Sequence, residues 1–187
     1  MFNLKYLMLI PLCIINAMNA YAQVSNDKTA YCNSMGGVVQ SMAVEYMTAT
    51  GTIKGLSKKF CKFHIDSGIV DIGLETYTTT TPNIAASYIK TLTAIDPKFL
   101  RGPYANPSHN VCKNLKGTMP SFVIEGSFSD AEGQSDICVF GDGSMVSAWS
   151  LIYIVENREG YDLIKNTIRS APLPINITQP APSIENQ

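Results

Sequence analysis

The residues of this chain best equipped for chemistry are five cysteines and two histidines. Cys13 lies in an apolar N-terminal run, and Cys32, Cys61, Cys112 and Cys138 lie beyond it. A zinc site would draw thiolates and imidazoles from close-set groups. Here the spacings are 29 and 26, no Cys-x-x-Cys occurs, and only His64 and His109 could join the set. Disulfide chemistry fits better, so two bridges are expected, with neither a metal nor a cofactor. A serine or cysteine nucleophile needs a base that is itself held by a third group. Oxidation of all four cysteines leaves no thiol for that role, and the unrepeated His64 and His109 read as surface residues. Asp66-Ser67-Gly68, Asp130 with Glu132, and Asp142-Gly143 lack the ligand density of a calcium loop and read as turns. Met35-Gly36-Gly37 ends a helix, whereas a phosphate cradle precedes one. No catalytic residue is expected.

The N-terminus points to export. Lys5 precedes an apolar run from Leu7 to Ile15, and Ala20-Tyr21-Ala22 offers small residues for leader cleavage, so 1–22 reads as a signal peptide. That run is shorter than the roughly 20 residues a spanning helix needs, and no later segment matches it. Pro11 and Leu12 before Cys13 stand where lipid-attachment signals place small residues, which disfavours a lipoprotein. The expected location is the periplasm or the medium. Removing 22 residues from 187 leaves 165, with 13 basic side chains against 15 acidic ones because Lys5 is the only charge lost. A charge near minus two and no basic cluster argue against a nucleic-acid partner.

Two stretches align without a gap, Asn26 to Gly37 and Asn106 to Gly117, each starting on Asn, carrying a cysteine and ending on Gly. Phe60-Cys61-Lys62-Phe63 then corresponds to Ile137-Cys138-Val139-Phe140, and Ser87 to Thr91 to Asp162 to Asn166. The chain reads as an internal duplication, copy one over 23–97 and copy two over 103–170, with a linker at 98–106 and a proline-rich, disordered tail at 171–187. Four cysteines permit three pairings; duplication selects Cys32 with Cys61 and Cys112 with Cys138, one bridge per copy. Each would contribute about 3–4 kcal/mol by closing its loop.

The expected fold is α+β: two tandem disulfide-stapled repeats, each a short helix, an antiparallel hairpin or small sheet, and a second helix. Asn26 and Asn106 suit helix N-caps, Pro107 the first helical position, and Gly37 and Gly117 the left-handed residue that closes a helix. Tyr31, Cys32 and Met35, like Val111, Cys112 and Leu115, should form buried stripes. Val38 to Ala49, Thr118 to Gly126 and Ile137 to Phe140 read as strands, and Asp142-Gly143 as a hairpin turn. Met145 to Ile154 suits a strand in part, although Ala148, Leu151 and Ile152 can share a helical face. Pro82 to Ala94 and Glu159 to Arg169 should be helices, the first capped by the Thr78 to Thr81 run.

Asn106-Pro107-Ser108, Cys112, Gly117, Cys138-Val139-Phe140-Gly141-Asp142-Gly143-Ser144 and Trp149-Ser150-Leu151 together resemble a family of small exported bacterial domains of unknown function, often labelled hemolysins. That pattern has Pro where Gly141 stands and Glu where Ala148 stands, and copy one keeps only the cysteines, cap, glycines and hydrophobic rhythm. The resemblance implies an exported envelope domain and carries over no catalytic motif. Trp149, the only tryptophan, is the candidate partner-binding residue, with a core role as its alternative. The expected function is a non-enzymatic binding or assembly module in the cell envelope that engages a protein partner, such as an accessory subunit of a secretion-system outer-membrane complex. A secreted inhibitor or effector is the alternative, and a lytic toxin or enzyme the third class.

Overall fold

The computed structural model of this chain describes residues 27–119 and 128–174. The expected leader, Asn26, most of Thr118 to Gly126 and the tail beyond 174 fall outside them. Among the described residues seven strands form one antiparallel sheet: β1 (Val38–Thr48), β2 (Gly51–Ile65), β3 (Gly68–Gly73), β4 (Phe128–Asp130), β5 (Gly133–Ser135), β6 (Ile137–Val139) and β7 (Met145–Ser147). Their order is β5-β4-β1-β2-β3-β7-β6, so the two edge strands are consecutive in the chain. Only Asp136 separates them, and a chain advancing at most about 3.6 Å per residue keeps the edges within about 7 Å. The sheet must therefore curl into a near-barrel.

Alternation along β2 assigns the two faces. Phe60 turns inward to Met42, Val44, Phe128, Ile137 and Met145, and its ring meets Phe128 edge-on at 5.3 Å. Cys61 and Phe63 turn outward to a larger core closed by helices. These are α1 (27–34), α2 (Leu74–Thr78), α3 (Ile84–Thr91), α4 (Pro107–Asn114) and α5 (Ala148–Val155), with 3₁₀ turns at Pro97–Leu100 and Asp162–Thr167.

Both expected disulfides are present, Cys32–Cys61 pinning α1 to β2 and Cys112–Cys138 pinning α4 to β6. Their surroundings correspond. Val38 faces Lys62 as Thr118 faces Val139, so the residue after each glycine meets the residue after each second cysteine. The two segments do not keep separate sheets, however. β3 pairs with β7 and β1 with β4, because a hairpin left alone would expose unpaired edges.

Several local expectations need correction. The left-handed residues after the two helices are Gly36 and Lys116, one position earlier than Gly37 and Gly117. Gly37 and Gly117 donate their N–H groups to Cys32 and Cys112 carbonyls, completing the next step of the same cap. They are glycine for another reason: a Cβ would stand 2.6 Å from Cys61 Sγ at Gly37 and 2.2 Å from Cys138 Sγ at Gly117. Met35 is 41% exposed, whereas its counterpart Leu115 is buried. The segment 159–169 buries Tyr161, Ile164 and Ile168 as expected but winds as a 3₁₀ turn, entered from Gly160 at φ 83° without a side-chain cap. Asn83, not the threonine run, caps α3, its side chain accepting from the Ala86 N–H. The 98–106 linker begins within a 3₁₀ turn that buries Phe99. Met145 to Ile154 divides between a three-residue strand and α5, where the Ser147 side chain caps the helix.

Candidate functional site

Lys62 follows Cys61 on β2 and so points inward, beside Phe60 and opposite Asp71 on β3. The hairpin between β4 and β5 folds over it. Lys62 Nζ lies 2.5 Å from Asp130 Oδ2, 3.2 Å from Glu132 Oε2 and 3.8 Å from Asp71 Oδ1. Lys62 and Asp71 side chains are 3% and 4% exposed, so this is a buried ionic cluster at one mouth of the near-barrel. Burial opposes the ammonium charge, but Asp130, Asp71 and Glu132 together hold its pKa above the ordinary lysine value. A lysine held protonated is neither base nor nucleophile.

The surrounding carboxylates differ. Burial pushes Asp71 above the usual carboxylate range, against a hydrogen bond donated by Ser135 and the field of Lys62. Glu132, at the rim, is held down to about 2 by His64, Gln40 and Lys62. The Asp130–Glu132 pair is thus a turn, Asp130 accepting from the Glu132 N–H, and also the lid on Lys62.

A second node gathers Asn106, Ser108, His109 and Asp136. Asp136 Oδ2 accepts from Asn106 Nδ2 at 2.7 Å and Ser108 Oγ at 2.6 Å, and His109 Nε2 lies 3.6 Å from Asp136 Oδ1. The carboxylate stands between serine and imidazole, whereas nucleophile activation needs the imidazole between them. The node serves to cap α4 and to fix the single residue that joins the two sheet edges.

The Asp142-Gly143-Ser144 turn forms a third node with α3, beside a cleft of about 360 Å³ lined by Glu75, Thr79, Thr81 and Pro82. Asp142 Oδ2 accepts from the Ile84 N–H at 2.7 Å, and Ser144 Oγ from the Ala85 N–H at 3.0 Å. Burial disfavours the Asp142 charge, but bonds from Ser144 and Ile84 more than offset it and lower its pKa. The 142–144 turn thus caps α3. Asp142→Ala is expected to cost about 1 kcal/mol, read as a lower urea midpoint with the far-ultraviolet spectrum retained.

Trp149 lies on α5, half-buried against the outer core with its ring 5.6 Å from Tyr153. His64 is half-exposed beside Glu132. Among the described residues no group of three or more His, Cys, Asp or Glu side chains is placed to hold a metal ion, and no helix is long and apolar enough to cross a membrane.

The surface that sequence reading passed over is an arm. β3 pairs with β2 only from Phe60 onward, and β4 with β1 only at Ala43 and Val44. From Glu45 to Lys59 the β1–β2 hairpin therefore runs beyond its described neighbours, paired only with itself. Ile53 is 57% exposed and Leu56 51%, and Lys54, Lys58 and Lys59 surround them. Lys54 pairs with Glu45 at 3.1 Å; Lys58 and Lys59 make no ion pair among the described residues. The signal was in the sequence: Gly51 to Lys59 breaks the apolar alternation of a half-buried strand and carries glycines at 51 and 55. No protein-family model, curated protein or solved structure matches this chain.

Proposed function

We propose that this chain is a non-enzymatic, exported binding or assembly module of the bacterial cell envelope, suited to serve as an accessory subunit of a secretion-system outer-membrane complex. The observation that carries this reading is the β1–β2 arm, which extends strand backbone past the sheet and leaves Ile53 and Leu56 uncovered among lysines. Exposed apolar side chains on a projecting strand pair are a hazard unless something covers them. The carboxylates of the three polar nodes are spent internally, on Lys62, on the α3 cap and on the α4 cap. Two disulfides fit an oxidising compartment, and a 1–22 leader would deliver the chain there.

The equivalent staples support duplication, with copies at 23–97 and 103–170 that share one sheet. The resemblance to hemolysin-labelled domains fits a structural role for its motif, since Asp142 and Ser144 cap a helix and the cysteines close a bridge. Crosslinking in intact cells, followed by purification from the envelope under non-reducing conditions, is expected to recover the chain bound to envelope protein. Recovery as a free chain alone contradicts the reading.

A further inference from the structure

The two ends of β2 carry opposite chemistry. At one end is the arm, where a register shift between Lys54 and Ser57 interrupts the alternation and brings Ile53 onto the face of Lys58, with Leu56 inside the bulge and Lys59 on the opposite face. At the other end Ile65, Asp66 and Ser67 form one wall of a groove of about 630 Å³, and Glu159, Gly160 and Leu163 the other. The Ser67 hydroxyl donates to the Glu159 carbonyl at 2.8 Å and ties the walls together. Leu163 is 67% exposed at its edge, beside the exposed Asp162. Asp66, Glu159 and Asp162 make no ion pair among the described residues, and the neighbouring Arg158 is engaged by Glu156 at 3.5 Å and by the Tyr153 ring at 3.9 Å.

We infer that the arm of one copy docks in the groove of a second copy of this chain, Ile53 or Leu56 against Leu163 and Ile65, with Lys58 and Lys59 facing Asp66, Glu159 and Asp162. The inference rests on the assembly reading above and supplies one partner for it. Leu56 and Ile65 are nine residues apart on one strand, about 30 Å, so an arm cannot reach its own groove. Pairing arm with arm would set Lys58 and Lys59 against their own copies, which like-charge repulsion disfavours. A contact between two different surfaces of identical chains is head-to-tail and builds a ring or a filament, not a closed two-fold dimer.

Sedimentation of the purified, oxidised full chain at low salt is expected to show a concentration-dependent series of oligomers that shrinks as salt is added. Lys58→Glu with Lys59→Glu removes the arm, and Asp66→Lys with Glu159→Lys removes the groove; each should weaken association by at least about tenfold. Each variant alone should stay short, whereas mixed together they should regain a series in which they alternate, because native arm meets native groove and reversed arm meets reversed groove. A chain carrying all four reversals should regain the series. Wild-type chain that stays monomeric at low salt overturns the inference, as does a two-fold dimer that neither variant disrupts. A monomer would leave the envelope-partner reading standing, since that reading is tested by copurification.

Discussion

A chain carrying Gly117→Ala is expected to leave Cys112 and Cys138 as free thiols and to lose about 3–4 kcal/mol of stability. The added Cβ would stand 2.2 Å from Cys138 Sγ, 3.0 Å from Cys112 Sγ and 3.1 Å from Phe140 Cε1. None of these atoms has somewhere to go: both sulfurs belong to the bridge and Phe140 is buried against Tyr88. Gly37→Ala should do the same to the first bridge, where the contacts are 2.6 Å to Cys61 Sγ, 2.8 Å to Cys32 Sγ and 3.0 Å to Phe63 Cε1. Gly143→Ala is the control. It sits at φ 80° with open space around it, so it should cost about 1–2 kcal/mol of backbone strain and leave every thiol oxidised. Thiol titration in denaturant beside urea unfolding separates the two cases. Oxidised, wild-type-like Gly117→Ala would mean that the glycine is not the contact point of the staple.

The second large effect is expected at Lys62. Lys62→Met keeps the volume of the side chain but removes the one cation that Asp71, Asp130 and Glu132 share, and breaking a buried ion pair this way costs about 3–5 kcal/mol. The loss should shrink at low pH, where the carboxylates take up protons and cease to repel. The wild-type profile has two opposing parts. Glu132 has a folded pKa of about 2 against an ordinary 4.5, so its contribution is present above 4.5 and lost as pH falls toward 2. Asp71 is shifted upward, so its contribution runs the other way: it is present below 3.8 and lost as pH rises through the folded value. Asp71→Asn is therefore expected to cost far less at pH 7 than Lys62→Met. Urea midpoints of the three chains at pH 7 and pH 4 check both signs. A Lys62→Met penalty that does not change with pH would remove electrostatics as its cause.

The bridges were legible in the sequence because the stretches around Cys32 and Cys112 align, and so do those around Cys61 and Cys138, and the pairing needs no more than that alignment. The α+β class was legible from the caps at Asn106 and Pro107, the Asp142-Gly143 turn and the apolar rhythm around Cys138. The joining of all strands into one near-barrel was not. Edge pairing such as Ile72 with Val146 depends on long-range register, which no local pattern encodes. The role of Gly37 was misread because the same residue type serves a left-handed turn and a close approach, and only the neighbouring sulfur distinguishes them. Lys62 was hidden by its neighbours. A lysine between Cys61 and Phe63 reads as solvated until strand alternation is combined with the arrival of Asp130 and Glu132 from 68 and 70 residues away.

The arm makes the central claim directly testable. A photoreactive residue replacing Leu56 in the full chain, activated in intact cells, should give adducts in the envelope fraction that are markedly reduced when Lys58→Glu and Lys59→Glu are added, the purified variant retaining its bridges and its unfolding midpoint. Uncrosslinked chain alone, or adducts indifferent to those two charges, would contradict an assembly module that works through its arm.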